Sequence, residues 1–182
     1  MLFRSIQAPG VHWTYAELLA QANRIANVLV QDMGLVPGNR VLLRAPNNPM
    51  LVACWFAVMK AGGIAVATMP LLRAKELRQM IAKGEVSHAL CDMRLADDLR
   101  AAATEPDGAA LQHIRYFNTA PGGAPEQSLE AAMARQSDTF TNVDTAADDT
   151  CILAFTSGTT GVPKGTMHFH RDVMAICACW PP

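Results

Sequence analysis

The sequence predicts an α/β fold in which a largely parallel sheet is flanked by helices. Segments with strand character alternate with segments of helical period over most of the 182 residues. This alternation is typical of parallel strands joined by crossover helices. An apolar run at residues 151–155 is followed at once by a Gly-rich segment, which indicates a buried strand that ends in a turn. Because ligands of such sheets bind at the carboxyl ends of the strands, we expect a ligand site directly after residue 155.

The first helix is predicted by its start signal. Thr14 is followed three residues later by Glu17, and this spacing is typical of a capping box. Apolar residues then recur with a helical period at positions 18, 19, 22, 25, 26 and 29. Gly34 is the expected end of the helix.

A strand and a second helix follow. Residues 40–44 have strand character. Asn48 and Pro49 are typical of the N-cap and the first position of a helix. This helix is expected over residues 50–61, and because it is apolar on nearly all sides we expect it to be buried.

The apolar run at residues 51–69 is long enough to span a membrane. Lys60 near its middle and the pair Gly62 and Gly63 argue against a single membrane helix. The sequence therefore predicts a buried helix that ends at the glycines and a buried strand at residues 64–69.

The remaining elements continue the alternation. An amphipathic helix is expected at residues 73–83, and Gly84 ends it. The pattern further predicts strands at 88–91, 113–116, 152–155 and 166–169, and helices at 94–103, 128–135 and 172–180. We expect the strand at 152–155 to be central because it is apolar throughout.

Composition restricts the class of protein. Hydrophobic residues make up 51% and charged residues 17% of the chain, as in a globular domain. The formal net charge of −1 predicts neither a nucleic-acid-binding nor a membrane-binding protein. The five cysteines lie mostly in apolar segments, which predicts buried thiols in a reducing cytoplasm.

His168, His170, Cys177 and Cys179 suggest a metal site at first sight. Residues two apart on a helix do not face each other, so the spacing is poor for joint ligation and we predict no metal ligand here. The two histidines are expected to hold the helix that follows them, with a catalytic role as the alternative.

The segment after residue 155 combines the groups that bind a polyphosphate. Its glycines allow close approach of the backbone, its hydroxyls add donors and its lysine adds a positive charge. A Walker A motif is excluded, because Pro163 precedes Lys164 and Gly165 follows it. A flexible linker would need neither the preceding apolar strand nor the Pro-Lys-Gly ending.

This loop resembles the phosphate-loop signature of the adenylate-forming superfamily, which includes acyl-CoA synthetases, adenylation domains of peptide synthetases and luciferases. The matching residues are Thr156, Ser157, Gly158, Thr159, Thr160, Gly161, Pro163, Lys164 and Gly165. The helix that starts with Thr14 and Tyr15 and the junction at residues 60–66 are similar to segments of the same superfamily.

The resemblance implies an acid–CoA ligase that uses ATP with Mg²⁺. In this superfamily a carboxylate attacks the α-phosphorus of ATP, pyrophosphate leaves, and the acyl group passes to a thiol such as that of coenzyme A. The phosphates are then expected to contact Thr156, Ser157, Gly158, Thr159, Thr160, Gly161 and Lys164. Lys164 would be the catalytic cation that stabilises the leaving pyrophosphate.

The resemblance also implies that the chain is incomplete as an enzyme. Superfamily members are much longer and carry a Mg²⁺ ligand, a ribose-binding aspartate, an adenine pocket and a catalytic lysine downstream of the loop. We expect residues 1–182 to be a fragment of the large N-terminal AMP-binding domain, without the small C-terminal domain and inactive alone. Residues 42–68 and 165–181 are similar to benzoate– and 2-aminobenzoate–CoA ligases, which implies an aryl acid as the substrate.

Three alternatives stay open. The first, a short-chain or medium-chain acyl–CoA ligase, is the nearest competitor of the aryl-acid assignment. A non-catalytic nucleotide-binding module would have kept the loop and lost the other motifs. An unrelated P-loop kinase or hydrolase would form ADP instead of AMP, and the Pro-Lys-Gly ending disfavours it.

Overall fold

The computed structural model describes residues 4–8, 11–104, 110–119, 125–156 and 163–179. Its first element is an antiparallel hairpin of β1, Arg4–Ala8, and β2, Val11–Thr14. The main sheet consists of β3, Arg40–Arg44, β4, Ile64–Thr68, β5, His88–Asp92, β6, His113–Phe117, β7, Thr150–Thr156, and β8, Lys164–Phe169. The strand order is β6-β5-β3-β4-β7-β8, and every pair is parallel except β7 with β8. The predicted α/β fold with a largely parallel sheet is confirmed.

Helices cover both faces of the sheet. They are α1, Tyr15–Asn27, α2, Pro49–Lys60, α3, Ala74–Gly84, α4, Ala96–Ala103, α5, Leu129–Met133, and α6, His170–Cys179. Val41 and Leu43 of β3 pack in one core with α1, α2 and α5, whereas Leu42 packs in a second core with α3 and α4. This alternation follows from the period of two in a strand, which turns successive side chains to opposite faces.

The capping box at the start of α1 is confirmed. The backbone N–H of Glu17 donates to Thr14 Oγ1 over 3.2 Å, and the N–H of Thr14 donates to Glu17 Oε2 over 2.6 Å. The helix continues into a π-helical turn at Val28–Asp32, which the sequence did not predict. Gly34 ends the segment with a φ of +68°, a conformation that glycine adopts without steric cost.

The start of α2 is also as predicted, and its burial is so with one exception. Asn48 Oδ1 accepts from the N–H of Leu51 over 2.9 Å, and Pro49 occupies the first helical turn. Ala53 and Ala57 are buried, whereas Phe56 is 48% exposed. The expected burial of α2 thus holds for most of the helix, and Phe56 is the exception: Met50, Leu51, Val52 and Trp55 are partly buried and also pack against the core.

The strand before the loop lies one position in from the edge of the sheet, between β4 and β8, and is not central. Of its residues only Cys151 is fully buried, whereas Ile152, Leu153 and Phe155 are half-buried. Helices α3 and α4 cover the strands from β4 to β6 more completely than they cover β7. An apolar sequence thus predicted the strand but not its place in the sheet.

Other predictions hold with small shifts of boundary. The helix expected at 94–103 begins with a 3₁₀ turn at Met93–Leu95 before α4, and the start of α5 is capped by Ser128. None of the helices in the described ranges has the length and apolar character to cross a membrane. Cys177 and Cys179 are exposed, so the expectation of buried thiols is wrong for these two, because α6 buries none of its residues.

Candidate functional site

The hairpin of β7 and β8 carries the predicted phosphate loop at the carboxyl edge of the sheet. Strand β7 ends at Thr156 and β8 begins at Lys164, and the two residues are paired across the hairpin. Side chains of directly opposed residues lie on the same face of a sheet, and both of these residues are exposed. The fold therefore brings together the first and the last of the predicted phosphate-binding residues.

Of the residues between them, the structure describes Pro163. Ser157, Gly158, Thr159, Thr160 and Gly161 all lie outside the described ranges. Their contacts with phosphate stay a prediction from the sequence.

Lys164 is suited to receive an anion. Within the part of the chain that the structure describes, no carboxylate pairs with its ammonium group. The next residue fixes the backbone here, since a Cβ on Gly165 would lie 3.1 Å from Leu153 Cδ1. The glycine thus leaves room for the Leu153 side chain beside the residue that follows Lys164.

A cleft of about 520 Å³ lies beside the hairpin, between α3 and the carboxyl ends of β4 and β7. Its lining is apolar toward the sheet and polar toward the helix. The lining residues are Ala67, Met69, Leu72, Lys75, Glu76, Gln79, Met80, Phe155, Thr156 and Pro163. A cleft at this edge is where open α/β sheets bind ligands, and the sequence had not indicated the contribution of α3.

Arg44 fixes one wall of this cleft from inside the protein. Its guanidinium donates to four backbone carbonyl groups, those of Met69, Pro70, Leu72 and Leu95, over 2.8–3.3 Å. Burial lowers the pKa of Arg44, but an arginine pKa is so high that the group stays charged. The sequence offered one signal for this residue, a charge at the end of an otherwise apolar strand.

A second polar cluster lies at the ends of β3, β5 and β6. Asp92, whose side chain is fully buried, accepts from Arg94 Nη2 over 2.7 Å and from Asn118 Nδ2 over 2.7 Å. Burial alone would raise the pKa of Asp92, but the hydrogen bonds from Arg94 and Asn118 outweigh it and lower the pKa. Asn118 has a positive φ of 56°, and its N–H donates to Glu130 Oε1 over 2.6 Å. The cluster holds the loops after these strands in place.

The tail from β8 to α6 is held by local bonds. The N–H of Phe169 donates to Asp172 Oδ2 over 2.9 Å, and the N–H of His170 donates to the Asp149 carbonyl over 3.1 Å. The guanidinium of Arg171 lies 4.8 Å from the centre of the Phe169 ring. The described residues contain no group of three or more His, Cys, Asp or Glu side chains that could hold a metal ion.

The buried cysteines are poor candidates for nucleophiles. Burial raises the pKa of the Cys91 thiol to about 12 and also raises the pKa of Cys54 and Cys151. A thiolate is the reactive form of cysteine, so these three residues serve packing.

Comparison with known proteins gives the context of the hairpin. A family model described as AMP-binding enzyme matches residues 3–181. A benzoate–CoA ligase of Thauera aromatica is 31% identical over 166 residues, which are 89% of this chain and 30% of the relative. A long-chain-fatty-acid–CoA ligase of Mycobacterium tuberculosis is 31% identical over 173 residues, which are 93% of this chain and 32% of the relative. The chain thus spans about a third of the length of these relatives.

Solved structures share the fold. The ATP-bound MatB of Rhodopseudomonas palustris has a TM-score of 0.76 at 32% identity, and the match covers 94% of this chain and 32% of MatB. An anthranilate CoA ligase, AuaEII, in complex with anthranoyl-AMP has a TM-score of 0.89 at 24% identity. That match covers 98% of this chain and 34% of AuaEII. At this identity the second likeness is one of fold.

Proposed function

The chain belongs to the AMP-binding enzyme family, and from this membership we propose that it is part of an AMP-forming acid–CoA ligase. The protein activates a carboxylic acid with ATP and transfers the acyl group to coenzyme A. The observation that carries the proposal is the hairpin, which ends in Thr156 and restarts at Lys164 at the carboxyl edge of the sheet. The loop between these residues has the composition of a polyphosphate site.

The proposed chemistry needs positive charge where pyrophosphate leaves. When the carboxylate oxygen attacks the α-phosphorus, the bond to the β-phosphate bridging oxygen breaks and negative charge builds on pyrophosphate. The Lys164 ammonium stabilises this charge, and the Thr156 hydroxyl donates a hydrogen bond. We propose that ATP binds together with Mg²⁺; among the residues that the structure describes, no group of three or more His, Cys, Asp or Glu side chains could hold the ion.

For the acid, we propose benzoate or an amino- or hydroxy-substituted benzoate. The support is the similarity of residues 42–68 and 165–181 to aryl-acid ligases and the relative that is named a benzoate–CoA ligase. A fatty-acid substrate is the second candidate, since the relative named a long-chain-fatty-acid–CoA ligase has the same identity. Phe169 gives no added support to an aromatic pocket, because Arg171 stacks on its ring.

The chain is proposed to be the first part of a larger domain. It spans about a third of its relatives, and α6 buries none of its residues in the described chain. Met167, Met174 and Ile176 are 60%, 68% and 63% exposed. Large apolar side chains grouped on one end of a sheet are typical of a surface that more protein covers.

A cytoplasmic location fits this function. ATP and coenzyme A are its substrates, and the buried thiols of Cys54, Cys91 and Cys151 are unpaired, as expected in a reducing compartment. The net charge of −1 gives no reason to expect a nucleic acid or an anionic membrane as a partner.

The test is an assay of the longest open reading frame that contains this chain. We expect acid-dependent exchange of labelled pyrophosphate into ATP, and CoA-dependent release of AMP. A panel of benzoates, acetate, hexanoate and a long-chain fatty acid identifies the acid. ATP binding without exchange would favour a non-catalytic module, and release of ADP would favour a kinase or hydrolase. The 182-residue chain by itself is expected to be inactive.

A further inference from the structure

Arg44 is a buried charge that the proposed phosphate chemistry does not use. Its side chain has no exposed surface, and moving a guanidinium out of water is costly unless protein groups replace the water. The replacement comes from backbone carbonyl groups, and its nearest carboxylate, Asp98 Oδ2, is 3.9 Å away. Because carbonyl groups of a loop bind the Arg44 guanidinium, the guanidinium in turn fixes the position of that loop.

Three of the four carbonyl groups belong to one segment. Those of Met69 and Pro70 accept over 3.2 and 3.3 Å, and that of Leu72 accepts over 2.8 Å. This segment joins the carboxyl end of β4 to the start of α3. Two of its side chains, Met69 and Leu72, line the cleft that also contains Thr156 and Pro163 of the hairpin. Arg44 therefore acts on a wall of the cleft that Thr156 and Pro163 also line.

The same wall is clamped from the outer side. Asp98 Oδ1 accepts from the N–H of Ala74 over 3.2 Å, and Asp98 Oδ2 accepts from Arg73 Nη1 over 3.3 Å. Arg44 Nε donates over 3.2 Å to the fourth carbonyl group, that of Leu95, which is the residue directly before α4. The starts of α3 and α4 are thus joined through Arg44 and Asp98.

We propose that Arg44 is a positioning residue that fixes the wall at residues 69–72 of the cleft that also contains Thr156 and Pro163, so that an organic substrate, the acid or coenzyme A, binds in this cleft in one orientation. Arg44 bonds to the wall and to no described residue of β7 or β8. Binding of the organic substrate then depends on Arg44, whereas binding of ATP at the hairpin does not. The identity of the organic substrate rests on the proposed ligase function, whereas the role of Arg44 in fixing residues 69–72 does not.

The wall is tested in the 182-residue chain by amide hydrogen exchange of Arg44→Met and Arg44→Lys. Arg40→Met is the matched control, because Arg40 starts the same strand and forms only a surface ion pair with Glu85 over 3.3 Å. We expect Arg44→Met to speed exchange at residues 69–74 by about tenfold or more with α1 unchanged, and Arg44→Lys to give a smaller increase. Equal acceleration throughout the chain, or none at residues 69–74, would overturn the proposal. If Arg44→Met does not fold, Asp98→Asn loosens the same wall from its exposed side and takes its place.

The role in substrate binding is tested by steady-state kinetics of the longer gene product. For Arg44→Met we expect the KM of the acid or of coenzyme A to rise about fivefold or more, while the KM of ATP stays within about twofold. Arg44→Lys should recover part of the loss and Arg40→Met should behave as wild type. An unchanged KM for both organic substrates, or an equal rise for ATP, would refute the positioning role. If the wild-type product is inactive, the ligase function is refuted, and hydrogen exchange alone then tests whether Arg44 fixes residues 69–72.

Discussion

The carboxyl edge of the sheet has two parts that differ in how their polar groups are held. At the ends of β3 and β5, the side chains of Arg44 and Asp92 are fully buried and bind neighbouring loops. At the end of β7, Thr156 and Lys164 are exposed. The first part, which we term the platform, commits its polar groups to the fold. The hairpin of β7 and β8 leaves its polar groups free for a ligand.

Apolar packing follows the same division. All five residues of β5 are buried, whereas in β7 only Cys151 is. The scaffold is thus well packed, while the element proposed to bind the ligand is packed less tightly. Each of the following predictions compares a residue of one part with a matched residue.

The largest expected effect is on stability, in a pair of leucine substitutions. Leu90→Ala in β5 removes a side chain with 0% exposure and should lower the free energy of unfolding by about 2–5 kcal/mol. Leu153→Ala in β7 removes a half-buried side chain and should cost about 1 kcal/mol. Urea unfolding of both variants measures the difference. Equal losses would show that the two parts are packed alike.

The hairpin should show the reverse, a large effect on catalysis and a small one on stability. In the longer protein, Lys164→Ala should raise the barrier to adenylation by about 2–4 kcal/mol, because the charge on leaving pyrophosphate loses its cation. Pyrophosphate exchange measures the rate. Lys83→Ala, which removes another exposed lysine, is the control and should leave it unchanged. An unaltered rate in Lys164→Ala would show that this lysine does not contact the phosphates.

Within the platform, two aspartates give a matched pair. Asp92→Asn should destabilise by about 1.5–3 kcal/mol, since the buried carboxylate accepts charge-assisted hydrogen bonds from Arg94. Asp97→Asn should leave the stability nearly unchanged, because Asp97 is fully exposed and its ion pair with Arg100 is at 3.6 Å. Thermal unfolding compares them. A cost for Asp97→Asn as large as that for Asp92→Asn would contradict the assignment of the bonds to the fold.

The smallest expected effect is a two-stage loss of stability in acid. Burial, together with the neighbouring His113, lowers the pKa of His88 below its ordinary value near 6.5. The unfolded chain therefore takes up this proton first, so stability falls as the pH drops below about 6.5.

The second stage belongs to Asp92, whose pKa is lowered in the folded protein. The ionised carboxylate therefore contributes its full stability above about pH 4, and this stability is lost as the pH falls further. Urea unfolding at pH 7.5, 5.5 and 3.5 separates the stages. His88→Gln should abolish the first stage and leave the second. A stability that rises between pH 7.5 and 5.5 would contradict the sign of the shift at His88.

The sequence predicted the helix starts and the strand at residues 40–44 well because their signals are local. Capping at Thr14 and Asn48 and the apolar run inside residues 40–44 depend on neighbours within one turn or strand. Strand order is set by contacts far apart in the chain, so the position of β7 next to the edge was missed. Exposure of Phe56 was missed for the same reason, since composition does not reveal which face of a helix meets the core.

The site was predicted in chemistry but not in surroundings. The loop signature indicated Thr156 and Lys164, and their pairing across the hairpin follows once the strands are formed. The role of Arg44 depends on carbonyl groups 25 to 51 residues away, and backbone acceptors carry no sequence signal. The part played by α3 in the cleft was hidden in the same way.

The most direct test of the division into platform and hairpin is amide hydrogen exchange of the longer gene product with and without saturating ATP. We expect ATP to protect residues 156–169 of the hairpin and to leave β3, β5 and β6 unchanged, because Thr156 and Lys164 are exposed, whereas Arg44 and Asp92 are buried and bind neighbouring loops. Protection that is confined to the platform or to α1 and α2, with none in the hairpin, would contradict the account.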